Sequence, residues 1–425
     1  MKPISKNLKN GMRAIVVPMK GSASMTLMVL VRVGSRYEAM DNNGASHFIE
    51  HLMFKGTKRR PNAQEISKEL DRYGADYNAF TSKDMTAYYI KMDSAKTGLA
   101  VDMLHDMLFH SKYDPKEIDR ERNVIIEEIK MYEDNPRAHV EDMIEEALFP
   151  DSTLGWNIAG PRDVIRKVTP KQLKAYRDAY YIPSRMCVVA SGNVPSNIWT
   201  LLGKTFGTVK QPTRPVDHAF KPFIIPAKLK HPVSYQDKET EQTQLSMAFH
   251  GLALPDKRLP AANLLGTILG GSMSSRLFVE VREKRGLCYN ISAGHQAMED
   301  TGLFSISIGL EHGRVAEALK VIWGELNKIA TKPVGADELR RAKDHIRGKL
   351  TLALEDSSTQ ADWYGRQWLF QNKQESPEDR LKRLEAVTPS DIKKLAAEIF
   401  RKEHMASAII GPFGQKKNVD TLFGF

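Results

Sequence analysis

The sequence predicts an α+β fold with two homologous domains, each a mostly antiparallel sheet with helices on one face. The main observation is a repeat within the chain. A helix that begins at Thr169 and a buried strand that ends at Gly192 recur as a helix that begins at Thr388 and a strand that ends at Gly411. Both pairs are 219 positions apart, and a constant separation of this kind indicates an internal duplication.

A second correspondence supports the duplication, and a proline-rich segment lies between the two halves. Residues 74–78, which lead from a turn into a strand, resemble residues 286–290. Between the halves, residues 212–232 contain five prolines, which is the composition of an exposed, semi-rigid linker. We therefore expect an N-terminal domain over residues 1–211 and a C-terminal domain over residues 233–425.

Strands and one helix are predicted over residues 10–92 outside the segment 44–57. Asn10-Gly11 is typical of a hairpin turn, and the apolar runs 14–17 and 25–33 that follow it predict strands. A helix is predicted over residues 62–73, because apolar side chains recur there at helical spacing. Residues 74–92 then indicate a turn and a β-hairpin.

Helices dominate the remainder of the first half. Residues 99–109 have a helical pattern, and Asp114-Pro115 is a favoured start for a long helix that ends near Tyr132. Asn135-Pro136 interrupts this pattern, and a further acidic helix is predicted over residues 140–148. A buried strand over residues 186–190 completes the domain.

The composition is that of an ordinary soluble globular protein, with 41% hydrophobic and 27% charged residues. No apolar run is long enough for a membrane span, and the N-terminus leads into no hydrophobic signal core. We therefore expect no membrane partner and a cytoplasmic location. The two cysteines, Cys187 and Cys288, lie in different halves, which argues against a disulfide framework and against a cysteine-based zinc site.

The net charge of +10 would permit binding to acidic partners. Lys and Arg are nevertheless scattered through the chain, with no basic arm and no arginine-rich helix. We therefore expect no nucleic-acid partner.

The segment His47-Phe48-Ile49-Glu50-His51 carries the most specific signal for chemistry. On a helix, the i, i+4 spacing places both imidazoles on one face with the Glu50 carboxylate nearby, which is the H-x-x-E-H order of inverted zinc peptidases. Residues 44–46 offer a plausible N-cap for such a helix. The structural alternative is a pair of helix histidines packed in a core.

A catalytic zinc needs three protein ligands and an open position for water, so one ligand must come from elsewhere. The acidic helix of residues 114–132 is the best source, because Glu121 and Glu128 share a mixed polar and apolar stripe there. Glu128 is the predicted third ligand. Spacing alone does not exclude Glu127. In the second half, the corresponding residues 264–271 carry no metal ligand, so one zinc per chain is expected.

These motifs resemble those of the M16 metallopeptidases, the pitrilysin and mitochondrial processing peptidase group, and most strongly its short-chain branch. The resemblance covers nearly the whole chain and is carried by residues 47–57, 78–82, 122–128, 270–278 and 282–289. It implies that two such chains close as the halves of a clamshell. In the family, the spacing from the second His to the ligand Glu is often one residue shorter, which would select Glu127. Because the additional residue in this chain falls between residues 57 and 78, the resemblance favours Glu128 as the zinc ligand.

The resemblance implies further roles at matching positions. Glu121 corresponds to a second helix carboxylate near the zinc site, and we expect it to be a catalytic residue. Arg282 and Tyr289 correspond to an Arg and Tyr pair that assists the substrate carbonyl, and both can stabilise a developing oxyanion. Asn78 and Ala79 correspond to the strand that holds an extended substrate by edge pairing.

The expected function is therefore a zinc-dependent endopeptidase that hydrolyses peptides or unfolded protein segments inside a closed chamber. Zinc would activate a water molecule, and Glu50 would act as the general base. A homodimer is expected, with a heterodimer of related subunits as the alternative. The first rival function is a non-catalytic peptide-binding or assembly subunit. The second is a basic nucleic-acid-binding protein that uses the glycine-rich segment at Gly270-Gly271.

Overall fold

A computed structural model describes residues 2–212, 220–229 and 233–423. It contains two sheets of mixed, largely antiparallel strands, as the repeat predicted. The first sheet has the strand order β1-β2-β6-β3-β5-β4. Its strands are β1 (Ile4–Asn7), β2 (Arg13–Pro18), β3 (Ser24–Val31), β4 (Asp76–Thr81), β5 (Thr86–Asp93) and β6 (Met186–Gly192).

The helices of the first half lie between and after these strands. They are α1 (Ala45–Leu52), α2 (Ala63–Asp71), α3 (Thr97–His110), α4 (Pro115–Asp134), α5 (Pro136–Leu148), α6 (Arg162–Lys167), α7 (Pro170–Tyr180) and α8 (Ile198–Lys204). In the first sheet only β2 and β6 pair in parallel.

The second sheet has the order β7-β11-β8-β10-β9, again with a single parallel pair, β7 and β11. Its strands are β7 (Val233–Asp237), β8 (Thr243–His250), β9 (Cys288–Ala297), β10 (Gly302–Leu310) and β11 (Met405–Gly411). The helices are α9 (Leu259–Gly270), a π-helix (Phe278–Glu283), α10 (Val315–Thr331), α11 (Ala336–Ala353), α12 (Ser357–Gln371), α13 (Pro377–Glu385), α14 (Pro389–Ile399) and α15 (Lys416–Phe423).

The repeat extends to the caps of matching helices. Thr169 caps α7 and Thr388 caps α14, each with a capping box completed by the third residue of the helix. Gly192 ends β6, and Gly411 ends β11. Two helix–strand pairs with the same local chemistry in both halves confirm the predicted duplication.

The two compact units of the chain exchange segments, so they do not follow the linear division expected at residues 212–232. Of the described residues, those in Met1–Ile129, Trp156–Phe220 and Thr351–Ser376 form the first unit. The second unit contains those in Lys130–Gly155, Lys221–Leu350 and Pro377–Phe425. Within the predicted linker, residues 212 and 220–229 form no helix or strand, and the remainder lies outside the described residues.

The exchanged segments explain a difference from the predicted layers. The sequence predicted helices on one face of each sheet. In the first unit, α1 and α3 cover one face, and α12 packs on the opposite face against β3 and β6. In the second unit, α5 packs in the same way against β8 and β11. Each sheet therefore has a helix on its second face, and that helix comes from the other half of the sequence.

Close packing of α12 depends on one glycine. A Cβ atom at Gly365 would lie 2.4 Å from Leu30 Cδ1 on β3. Because atoms cannot approach that closely, the Leu30 side chain would have to shift to admit a Cβ atom here. No helix among the described residues is long and apolar enough to cross a membrane.

Candidate metal centre

The H-x-x-E-H segment forms α1, as predicted, and the helix separates its residues into two faces. Phe48, Ile49 and Leu52 are buried in the core of the first unit. His47, Glu50 and His51 are only partly buried and lie on the other side of the helix. The apolar face anchors α1, and the polar face is left to form a site.

The start of α1 is stabilised by a residue that the sequence analysis missed. The predicted N-cap at residues 44–46 supplies no side-chain cap, because Gly44 occupies the cap position and Ser46 lies inside the helix. The buried carboxylate of Glu38 accepts hydrogen bonds from the backbone N–H groups of Gly44 and Ser46, both at 2.7 Å, and from Asn43 Nδ2 at 2.8 Å. Glu38 therefore places a carboxylate at the positive end of the helix dipole.

Glycine is required at the cap itself. Gly44 has φ +96°, and a Cβ atom there would lie 2.5 Å from the backbone oxygen of Ala159. A glycine at the cap position has no side chain to accept from the helix N–H groups, and this was the available sequence signal for an acceptor from elsewhere. It did not identify Glu38 as that acceptor.

The helix α4 brings the third predicted ligand to α1. Ile125 and Ile129 are buried on its inner face, and the guanidinium of Arg122 donates to the backbone oxygens of Ile165 and, at 2.9 Å, Val168. These contacts fix the rotation of α4, which directs Glu128 towards the imidazoles.

Three ligand atoms converge where the two helices meet. His47 Nε2 lies 3.2 Å from His51 Nε2, and Glu128 Oε2 lies 3.7 Å from the first and 3.5 Å from the second. Tetrahedral zinc with ligand bonds of about 2.0–2.2 Å places its ligand atoms about 3.3–3.6 Å apart. The donor set and the separations therefore fit zinc.

This group is the only cluster of three or more potential metal ligands found in the described part of the chain. Glu127, the alternative left open by spacing, is exposed and lies outside it. In the second unit, α9 occupies the position that corresponds to α1 and contains no His, Cys, Asp or Glu.

Burial favours the neutral form of the first histidine. Burial, with a smaller contribution from the nearby His51 ring, lowers the pKa of His47 to about 3. Its Nδ1 atom is buried without a hydrogen-bond partner. A neutral imidazole can offer its Nε2 lone pair to a metal ion.

The second histidine is oriented by a carboxylate on α4. Glu121 Oε1 lies 2.8 Å from His51 Nδ1, and Glu121 Oε2 lies 2.7 Å from Lys55 Nζ. Burial alone would raise the pKa of Glu121, but the hydrogen bonds from His51 and Lys55 outweigh it and lower the pKa. An ionised Glu121 accepts a hydrogen bond from the His51 Nδ1–H group, which leaves the His51 Nε2 lone pair free to face the ligand cluster.

Glu50 is held by a strand of the first sheet. The hydroxyl of Thr81, at the end of β4, donates to Glu50 Oε2 at 2.5 Å. Burial raises the pKa of Glu50, and this hydrogen bond opposes the shift. A partly buried carboxylate with a raised proton affinity is suited to take up a proton.

Arg282 and Tyr289 are neighbours within the second unit, whereas the ligand cluster belongs to the first. The Arg282 guanidinium carbon lies 5.2 Å from the centre of the Tyr289 ring and 4.6 Å from that of Phe278. Tyr289 is 77% exposed. The structure thus brings the predicted pair together and leaves the tyrosine accessible.

Asn78 and Ala79 lie on β4, which is an edge strand of the first sheet. Asn78 is exposed, and its Oδ1 atom accepts a 2.8 Å hydrogen bond from the Ala79 N–H. The same strand carries Thr81, so the edge and the Glu50 contact belong to one element.

Two sequence profiles match the chain. Residues 14–162 match a profile described as "Insulinase (Peptidase family M16)", and residues 167–346 match one described as "Peptidase M16 inactive domain". All three residues of the ligand cluster lie in the first match, and none lies in the second.

Relatives match over almost their whole length. The chain is 34% identical over 406 residues to the uncharacterized zinc protease YmxG of Bacillus subtilis, covering 96% of this chain and 97% of that protein. It is also 34% identical to an uncharacterized zinc protease of Streptomyces coelicolor, covering 96% of this chain and 90% of that protein.

A solved structure has the same fold. The crystal structure of a protease from Helicobacter pylori superposes with a TM-score of 0.91 at 26% identity, covering 97% of this chain and 99% of that one.

Proposed function

Since the chain belongs to peptidase family M16, we propose that it is a zinc-dependent endopeptidase that hydrolyses peptides or unfolded protein segments in a closed chamber. The observation that carries the proposal is the convergence of three ligand atoms, separated by 3.2–3.7 Å, two on the helix that also presents Glu50 and the third on α4. His47, His51 and Glu128 would hold one zinc ion per chain. When bound, zinc lowers the pKa of a coordinated water and polarises the scissile carbonyl.

Glu50 moves the proton in this proposal. Thr81 occupies Oε2, so Oε1 is the oxygen that takes a proton from the attacking water and then delivers it to the leaving amine. The raised proton affinity caused by burial assists the first of these transfers, and the Thr81 hydrogen bond holds the carboxylate in one orientation.

Glu121 acts as a positioning residue rather than as a group that touches the substrate. Both of its oxygens are engaged, one by His51 Nδ1 and the other by Lys55 Nζ. This arrangement refines the catalytic role expected from the sequence. Glu121 sets the tautomer of His51, and Lys55 keeps Glu121 ionised.

The remaining predicted residues would bind the substrate peptide or hydrogen-bond to its carbonyl group. The exposed edge of β4 at Asn78 and Ala79 would pair with an extended peptide, and pairing would require the Asn78 amide to release the Ala79 N–H. Arg282 and Tyr289 would donate to the substrate carbonyl oxygen as it gains negative charge. In a homodimer with composite sites, each chain would supply this Arg and Tyr pair to the zinc site of the other.

The alternative function is a non-catalytic peptide-binding or assembly subunit. The complete donor set and the supported Glu50 argue against it, because a subunit without chemistry would have no need of either. The cytoplasmic location expected from the sequence stays a prediction.

Two measurements test the proposal. Purified protein is incubated with a peptide mixture, with and without a zinc chelator, and cleavage sites are identified by mass spectrometry. Chelator-sensitive cleavage is expected, and its absence from zinc-loaded protein would contradict the peptidase function. Zinc content is then compared between Glu128→Gln and the adjacent control Glu127→Gln. Only the first should lose zinc.

A further inference from the structure

Two segments of the chain contain no carboxylate side chain. Residues 1–37 and 179–216 together carry eleven Lys and Arg and no Asp or Glu, while the net charge of the whole chain is +10. The excess positive charge is therefore concentrated in these segments, even though basic residues occur throughout the sequence.

The structure brings parts of both segments together in the first unit. The end of β1 and the turn after it form one wall of a groove, and α8 with residues 206–208 forms the other. Asn10 Nδ2 connects the walls by donating to the backbone oxygens of Phe206 and Val209, both at 2.8 Å. The volume of this β1 groove is about 570 Å³, large enough for several residues of a peptide.

Three ammonium groups line the β1 groove without a compensating charge. Lys6, Lys9 and Lys204 have no carboxylate within ion-pair distance among the described residues, and no Asp or Glu lines the groove. Lys6 Nζ lies 4.7 Å from the centre of the Trp199 ring, a cation–π contact that leaves its positive charge unneutralised. Uncompensated positive charge in a concave site attracts anions.

The backbone of β1 offers a second means of recognition. β1 pairs with β2 on one side and is the edge of the first sheet on the other. All four of its residues are exposed, including Ile4 at 48%. The free edge presents N–H and C=O groups that an extended polypeptide can use as an additional strand.

The charge selects which polypeptide can add to this edge. A second copy of the same edge would bring a second set of groove lysines close to the first, and like charges disfavour such pairing. A strand with carboxylates beside its apolar residues would meet the opposite charge. Neither a lipid surface nor a nucleic acid would use the unpaired main-chain groups of β1.

We propose that the β1 groove is a docking site for an acidic, extended polypeptide segment. The segment adds to β1 as a strand, its carboxylates pair with Lys6, Lys9 and Lys204, and its apolar side chains contact Leu8 and Trp199. This inference does not depend on the proposed peptidase activity.

Binding of a fluorescent peptide with alternating Glu and Val tests the proposal by anisotropy. The Glu50→Gln variant serves as the parent so that the probe stays intact. The double variant Lys9→Glu/Lys204→Glu should bind about tenfold more weakly, because two attractive surface charges become repulsive. The control Lys171→Glu/Lys349→Glu changes two exposed lysines outside the groove and should bind within about twofold of the parent.

Matched probes separate the proposal from its alternatives. The same peptide with alternate N-methylated amides keeps its charge but cannot pair as a strand, so it should bind much more weakly. Circular dichroism and zinc content verify that the variants are folded. Equal affinity for the N-methylated peptide, equal losses in both double variants, or tighter binding of a single-stranded oligonucleotide or anionic phospholipid vesicles would each overturn the proposal.

Discussion

The hydroxyl of Thr81 donates a 2.5 Å hydrogen bond to Glu50 Oε2 and so connects an edge strand of the first sheet to the H-x-x-E-H helix. Thr81 lies on β4, where a bound substrate strand is proposed to pair, and Glu50 lies on α1 beside the ligand cluster. The proposed substrate edge and the proposed base are therefore linked by a side-chain hydrogen bond.

Replacing this hydroxyl tests whether the contact supports catalysis. Thr81→Val keeps the shape of the side chain but removes the donor, and a hydrogen bond to a charged group contributes about 1.5–3 kcal/mol. We expect kcat to fall about tenfold or more with KM changed much less, because Glu50 loses its orientation while the edge of β4 stays intact. Thr81→Ser should restore most of the rate. A variant in which only KM rises would show that Thr81 serves binding instead.

Glu121 is expected to control metal affinity. Glu121→Gln weakens the hydrogen bond that orients His51 and removes the negative charge beside it, and loss of such supporting carboxylates reduces metal affinity by about 10–100-fold. Competition with a chromophoric chelator measures the change. Glu117→Gln, on the same helix but paired with Arg120, is the matched control and should bind zinc normally. Unchanged affinity in Glu121→Gln would refute the positioning role.

Glu38 is expected to support both stability and the metal site. Glu38→Ala would leave two backbone N–H groups and Asn43 without their acceptor, and loss of a helix cap costs about 1–2 kcal/mol. Urea denaturation of the metal-free variant should show this loss, and zinc affinity should fall because α1 carries two of the ligands. Full stability together with normal zinc affinity would show that the cap is dispensable.

The second unit contains a histidine that should make stability depend on pH. His295 Nε2 accepts a 2.8 Å hydrogen bond from the Leu252 N–H, which only an unprotonated ring nitrogen can do. Burial lowers the pKa of His295 to about 4 from an ordinary value of 6.5. The unfolded chain therefore binds more protons than the folded one between these values, and the stabilising contribution is complete above pH 6.5 and is lost as pH falls towards 4.

The variant His295→Gln isolates this contribution. Its side-chain oxygen can accept the same hydrogen bond but does not titrate, so its free energy of unfolding should fall less between pH 6.5 and 4 than that of the wild type. The two losses of unfolding free energy should differ by about 3 kcal/mol at most, at about 1.4 kcal/mol per unit of pKa shift. Metal-free protein is used so that zinc release does not contribute. Parallel stability curves for the two proteins would contradict the prediction.

The two-domain architecture was predictable from the sequence because short local motifs mark the repeat. The capping boxes at Thr169 and Thr388 depend on residues three positions apart, so they can be recognised without a structure. The grouping of the three potential ligands was also predictable, since His47 and His51 are neighbours on one helix and Glu128 lies on a recognisable stripe of another. Spacing left Glu127 open because a one-residue shift turns a helix by only about a quarter of a turn.

Long-range contacts were not predictable in the same way. The apolar face of α12 indicates that the helix is buried but not which sheet it covers, and the same is true of α5. Glu38 lies seven residues before α1 and has no local pattern that identifies it as a cap. The hydrogen bond from Thr81 to Glu50 joins residues 31 positions apart and depends on how α1 packs beside β4.

Peptide hydrolysis by zinc-loaded wild type and zinc-loaded Glu50→Gln tests the central claim most directly. Both proteins should bind one zinc, because His47, His51 and Glu128 are unchanged. The wild type should cleave a quenched peptide, whereas Glu50→Gln should cleave it at least about 100-fold more slowly, since the amide cannot take the proton from water. Equal rates for the two proteins, or no cleavage by the zinc-loaded wild type, would contradict the account.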